Sequence, residues 1–100
     1  MRLLPLLLFV PSIALGADMA PFFNQNCAPC HGRDGSANTP AGKSTKAKDL
    51  RSPEVQKKTD EELASQIRNG KGPMPGFKMR LKESEIQELV AYIRALAKKP

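Results

Sequence analysis

Tryptophan is absent from this sequence, tyrosine and histidine occur once each, and cysteine occurs twice. Each shortage excludes something. Two cysteines cannot build a disulfide-dense scaffold, and seven glycines among 100 residues exclude a collagen-like repeat. Two cysteines and one histidine fall short of the four ligands of a structural zinc site, and no second cluster supplies the rest. Sixteen basic residues against ten acidic ones give a net charge of +6, which makes nucleic acid a fair first thought. Four phenylalanines and one tyrosine, however, offer few platforms on which bases could stack. The chain is too short for the large core of an α/β enzyme, and no set of long apolar runs marks a polytopic membrane protein.

The one apolar run that is present lies at the start. After Met1-Arg2, the stretch Leu3–Leu15 is almost wholly apolar, and the small residues Ala14, Gly16, Ala17 and Ala20 follow. A short positive start, an apolar middle and a small-residue end form the pattern of a secretory signal peptide. The run is too short to span a bilayer comfortably, and Pro5 and Pro11 interrupt it. We therefore expect residues 1–17 to be a signal peptide cleaved after Gly16 or Ala17, leaving a domain over 18–100. Without Arg2 that domain carries 15 basic and 10 acidic residues, hence +5. Export places its two cysteines in an oxidising compartment, periplasmic in a Gram-negative source, and leaves no membrane span. A chain of this size is marginal and often needs a staple.

Within the domain, Phe22 and Phe23 precede Cys27-Ala28-Pro29-Cys30-His31. The stretch 32–51 reads as loop, with glycine, serine, asparagine and proline and no apolar period. Ser52-Pro53-Glu54 reads as an N-cap, a proline at the first helical position and a first-turn acid, opening a short helix. Thr59-Asp60-Glu61-Glu62 is a capping-box pattern for a helix that should end at Asn69-Gly70. Gly70–Gly76, with two prolines and three glycines, is incompatible with regular structure. Ile86, Leu89, Val90, Ile93 and Leu96 then recur on one helical face, with Glu83 and Glu85 before them and Lys98 and Lys99 after. No strand pattern and no internal repeat is visible. The class is all-α, with two long irregular stretches, 32–51 and 70–82. Such stretches in a compact domain argue that something other than peptide fills its centre.

Cys-x-x-Cys-His is the signature of covalent haem attachment. Two thiols on one helical turn can each add to a vinyl group of one porphyrin, and the histidine that follows lies under the iron as its proximal ligand. The competing readings are weaker. A thioredoxin-like dithiol belongs beside a βαβ pattern, which is missing, and a plain Cys27–Cys30 disulfide is the bland reading, outweighed by the place of the motif after an export signal in a helix-and-loop chain. A second axial ligand must be sought among the methionines, since there is no second histidine. Met1 leaves with the signal, and Met19 is too near the cysteines in sequence to reach the opposite face. Met74 sits between Pro73 and Pro75, which stiffen its loop. Met79, five residues on, is the competitor, and either could instead fill a gap in the core.

The chain at this point resembles a class I c-type cytochrome of the small bacterial monohaem kind. The resemblance rests on Phe23 four residues before the first cysteine, then CAPCH, Asp49-Leu50, NGKGPMPGF and LKESEIQELVAYIRAL. It implies an all-α fold wrapped around one haem c attached through Cys27 and Cys30. His31 and Met74 would be the axial ligands, since Met74-Pro75 before Phe77 matches the family's distal-ligand signature. It also implies terminal helices that cross with Phe23 near Tyr92, and Leu50 and Phe77 in the haem pocket. Two positions depart from the family. Its proline, whose carbonyl accepts from the proximal histidine Nδ1–H, is replaced by Lys48, so the acceptor could be the carbonyl of Lys48 or of Pro40. The usual serine or threonine before the last helix is Lys82.

With both axial positions filled, the resemblance implies outer-sphere transfer of one electron and not catalysis. The expected protein is a monomeric carrier between redox partners, and a positive rim of Lys71, Lys78, Arg80 and Lys82 around the Met74 loop would steer those with acidic surfaces. Nucleic acid is not expected as a partner. The alternatives are a haem-c subunit of a periplasmic oxidoreductase complex, a ligand-binding or sensor haem protein, and a dithiol redox protein.

Overall fold

The computed structural model describes residues 17–99, so the signal-peptide reading falls almost wholly outside the described residues. A single 3-10 turn, Ala17–Met19, leads into six α-helices: α1 Ala20–Asn26, α2 Ala28–His31, α3 Pro40–Thr45, α4 Pro53–Gln56, α5 Asp60–Asn69 and α6 Glu83–Leu96. No strand occurs among the described residues; one isolated bridge joins Lys71 and Met74. None of these helices is long and apolar enough to cross a membrane.

Local chemistry sets the helix ends. The Ser52 hydroxyl accepts from the Val55 N–H with Pro53 at the first position of α4, and Thr59 and Glu62 cap α5 reciprocally. A lysine side chain has no acceptor, so Lys82 cannot cap α6 with its side chain; Glu85 supplies half of a box by accepting from the Lys82 N–H at 2.8 Å. The stretch 32–51, expected to be all loop, contains α3. Thr39-Pro40 repeats the N-cap and first-position proline seen at Ser52-Pro53, and the Thr39 hydroxyl accepts from the Gly42 N–H. Six residues with Ala41 as their only aliphatic side chain leave no apolar period, so only the cap announces the helix.

Helices α5 and α6 pack together, and the first turn lies against α6. Phe23 meets Tyr92 with ring centroids 4.8 Å apart, as the resemblance implied. Phe23, Ile86 and Leu89 are the most completely buried large side chains, each worth about 1.5–3 kcal/mol of burial. Arg94 ties α6 to the segment before α5. Its guanidinium donates to the Gln56 and Lys58 carbonyls and to Asp60 Oδ1. Gln56 in turn donates to the Leu50 carbonyl at 2.7 Å. The strap 46–50 is thereby anchored to the longest helix.

Candidate functional site

Helix α2 is a single turn that carries the Cys-x-x-Cys-His run. Cys27 precedes it, and the Cys30 and His31 N–H groups both donate back to the Cys27 carbonyl. The carbonyls of the run are claimed by the chain that follows. The Thr39 hydroxyl donates to the Cys30 carbonyl at 2.7 Å, and the Ala37 N–H donates to the His31 carbonyl at 2.7 Å. Helix α3 comes so close that a Cβ at Gly42 would collide with the Cys30 carbonyl oxygen, so glycine is required there. Both cysteines are half-buried, unpaired thiols. Burial, with Cys30 adding to it, pushes the Cys27 thiol up to about 11.

His31 Nδ1 lies 2.9 Å from the Lys48 carbonyl oxygen. A carbonyl only accepts, so Nδ1 carries the proton and Nε2 keeps its lone pair, the tautomer a metal-ligating histidine needs. Of the two candidate acceptors, Lys48 is therefore the one used. The strap that presents this carbonyl is held on both sides, by Ala47 N–H to the Gly42 carbonyl and by Leu50 N–H to the Gly35 carbonyl. The Lys48 ammonium itself reaches Glu54 at 3.0 Å on the surface.

Met74 belongs to a tight reverse turn. Lys71 and Met74 exchange both backbone hydrogen bonds at 3.0 Å across Gly72-Pro73. The turn is set against the end of α5, where Phe77 N–H donates to the Ile67 carbonyl and Lys78 N–H to that of Arg68. Gly70, with φ +79°, closes the approach: a Cβ there would stand 2.6 Å from the Met74 oxygen and 2.7 Å from the Gly76 nitrogen. We expect Gly70→Ala to cost about 2 kcal/mol or more and to displace Met74, measured as a lowered denaturant midpoint.

One cavity of about 360 Å³ brings these parts together, within the size range of pockets for small molecules and cofactors, about 300–1,000 Å³. Cys27, Cys30, His31 and Met74 all line it. So do Phe23 of α1, Leu50 of the strap, Val55 of α4 and the buried Phe77. Leu63 and Ile67 of α5 and Leu89 and Ile93 of α6 complete the apolar wall. Met79, in contrast, is 90 % exposed and is not part of the lining. Met19 is buried in the core, away from the cavity lining. The donor set fits a covalently held iron porphyrin: two adjacent thiols, an imidazole with a free nitrogen and a thioether share one largely apolar chamber. Asn26 beside Cys27 and Thr39 were not singled out from the sequence, and Arg80 was read there only as one of four basic residues around the Met74 loop. Thr39 had a signal in its proline neighbour; Arg80 acts through partners distant in sequence.

Comparison with known proteins bears on the family and the fold. The family described as cytochrome c oxidase, cbb3-type, subunit III matches residues 14–93. Cytochrome c6 of Synechocystis sp. (strain ATCC 27184 / PCC 6803 / Kazusa) is 37% identical, over 96% of this chain and 85% of that protein. Cytochrome c6 of Leptolyngbya boryana is 39% identical, over 77% of this chain and 87% of that protein. Among solved structures, the KustC0563 c-type cytochrome superposes with a TM-score of 0.70 at 33% identity, covering 77% of this chain and 94% of that one.

Proposed function

We propose, from the premise that this chain belongs to the class I c-type cytochromes and binds haem c, that it is an exported one-electron carrier. In this reading Cys27 and Cys30 would hold the haem through thioethers, and His31 and Met74 would hold its iron. The observation that carries it is the His31 ring. Its Nδ1–H is committed to the Lys48 carbonyl, which leaves Nε2 turned to bind metal, and it lines the same cavity as both thiols and the Met74 thioether.

When bound, the haem supplies an iron that alternates between ferric and ferrous. The residues do the rest. The Lys48 carbonyl orients the imidazole and makes it a better donor. The reverse turn holds the Met74 sulfur with little loop entropy left to lose. His31 and Met74 would together hold the iron and leave no position for a small molecule, which favours electron transfer over catalysis at iron. Leu50, Phe77 and the apolar side chains of α5 and α6 keep water out, and the low dielectric favours the state with less positive charge.

The partner reading rests on charge. Lys48, Arg51, Arg68 and Arg94 are each paired with a carboxylate. Among the described residues the other basic side chains are in no ion pair, and four of them, Lys71, Lys78, Arg80 and Lys82, fall in the short segment that carries Met74, with the exposed Met79 among them. This face suits an acidic protein surface approaching the cavity. A second reading, a haem-c subunit of an oxidoreductase complex, is favoured by one observation, the oxidase-subunit description of the matching family.

The test is material exported from a host competent in haem attachment. A pyridine haemochrome spectrum should give one haem per chain, and reduced protein should not bind CO readily at neutral pH. Electron exchange with an acidic partner should slow about tenfold between low salt and 0.2 M salt. Ready CO binding would replace the carrier by a ligand-binding haem protein. Copurification in a stable complex with a dehydrogenase or oxidase would favour the subunit reading.

A further inference from the structure

We propose that Arg80 is a positioning residue that clamps the segment carrying Met74 to the helix carrying Cys27, and so keeps the methionine sulfur in place. The inference rests on the reading of Met74 as a ligand. The guanidinium carbon lies 5.4 Å from the Phe22 ring centroid and 5.6 Å from that of Phe77. Those rings touch each other edge to face, with centroids 5.4 Å apart and planes at 81°. Nη1 donates to Asn26 Oδ1 at 3.2 Å, and Asn26 Nδ2 donates to the Phe22 carbonyl at 3.1 Å.

The placement of these groups carries the argument. Phe22 and Asn26 are one turn apart on the same face of α1, and Asn26 immediately precedes Cys27. Phe77 comes three residues after Met74, and the Arg80 and Leu81 N–H groups both donate to its carbonyl. The Met74 turn is fixed at its start by Lys71. At its far end Phe77 is held to α5 by one backbone bond, and to α1 through the guanidinium. No carboxylate competes for Arg80 among the described residues. Its planar fork is what the site requires, since one cation covers two rings while an N–H reaches the amide; lysine offers a point charge without that plane. Loss of the clamp leaves the Phe77 end freer to open locally, and each opening exposes the sixth position.

Imidazole titration of the ferric haem-bearing protein, followed at the far-red sulfur-to-iron band, tests this. Arg80→Ala should raise imidazole affinity about tenfold. Arg80→Lys, which keeps the charge, should lie nearer to alanine than to wild type. Thr59→Ala removes the distant cap of α5 and should leave imidazole affinity unchanged, although it lowers global stability. The clamp is overturned by wild-type affinity in Arg80→Ala, by full rescue in Arg80→Lys, or by an equal gain in Thr59→Ala. A wild-type ferric protein without the band overturns the ligand reading, and the clamp with it. A band present in wild type with Arg80→Ala unchanged overturns the clamp alone.

Discussion

Met74→Ala abolishes the far-red sulfur-to-iron band of the ferric protein and opens the sixth position to CO in the reduced protein, whereas Met79→Ala leaves both unchanged: this is the largest single-residue effect we expect. The two methionines lie five residues apart in one basic segment, yet their surroundings differ. Met74 is half-buried, lines the cavity and has its N–H and carbonyl both engaged by Lys71. Met79 is 90 % exposed on the turn that begins at Phe77, held by no contact that would bring its sulfur inward. For Met79 to reach the cavity, the Phe77–Ile67 and Lys78–Arg68 backbone bonds would have to break, at a net cost of about 1 kcal/mol each. Loss of the thioether also lowers the reduction potential, because a methionine ligand favours the ferrous state. Absorbance spectra of the ferric variants, with CO binding to the reduced ones, decide the matter; the reverse pattern would assign the ligand to Met79.

The second large effect concerns folding. The double variant Cys27→Ala/Cys30→Ala, unable to attach haem covalently, should be largely unfolded. Of the fifteen buried apolar side chains, the eight named above that line the cavity would face a void. Each large one contributes about 1.5–3 kcal/mol when fully buried, against a total stability of about 5–15 kcal/mol for a domain. The secondary structure offers little reserve. Helices α1 to α4 run from four to seven residues, and isolated helices shorter than about 12 residues are marginal in water. Only α6, with 14 residues and a continuous apolar face, is long enough to retain some helix alone. Circular dichroism of the variant is the measurement. A native helix signal with a cooperative thermal transition would show that the peptide core suffices, and that the cofactor is a passenger and not a staple.

Much of this was legible in the residues because it is local. The Thr59–Glu62 box, the Ser52-Pro53 start and the apolar face of α6 each depend on groups within a few residues of one another, and each formed as read. The 32–51 stretch was less legible. Helix α3 hides there because its support comes from outside, through the Thr39 contact with Cys30 and the close approach of Gly42. The acceptor for His31 had no sequence signature either. Every residue has a carbonyl, and only the path of the strap, pinned at Ala47 and Leu50, brings that of Lys48 within 2.9 Å.

Chemistry and place thus divide between two levels. CAPCH and the proline-flanked Met74 follow from side-chain type and spacing over a few residues, so reading alone yields the cofactor and the candidate ligands. The choice of the Lys48 carbonyl, the exposure of Met79 and the meeting of Arg80 with Phe22, Phe77 and Asn26 belong to the tertiary structure. They join groups as far as 58 residues apart, as Arg80 and Phe22 are. Which distant groups meet depends on how the whole core closes, and no short stretch of chain records that.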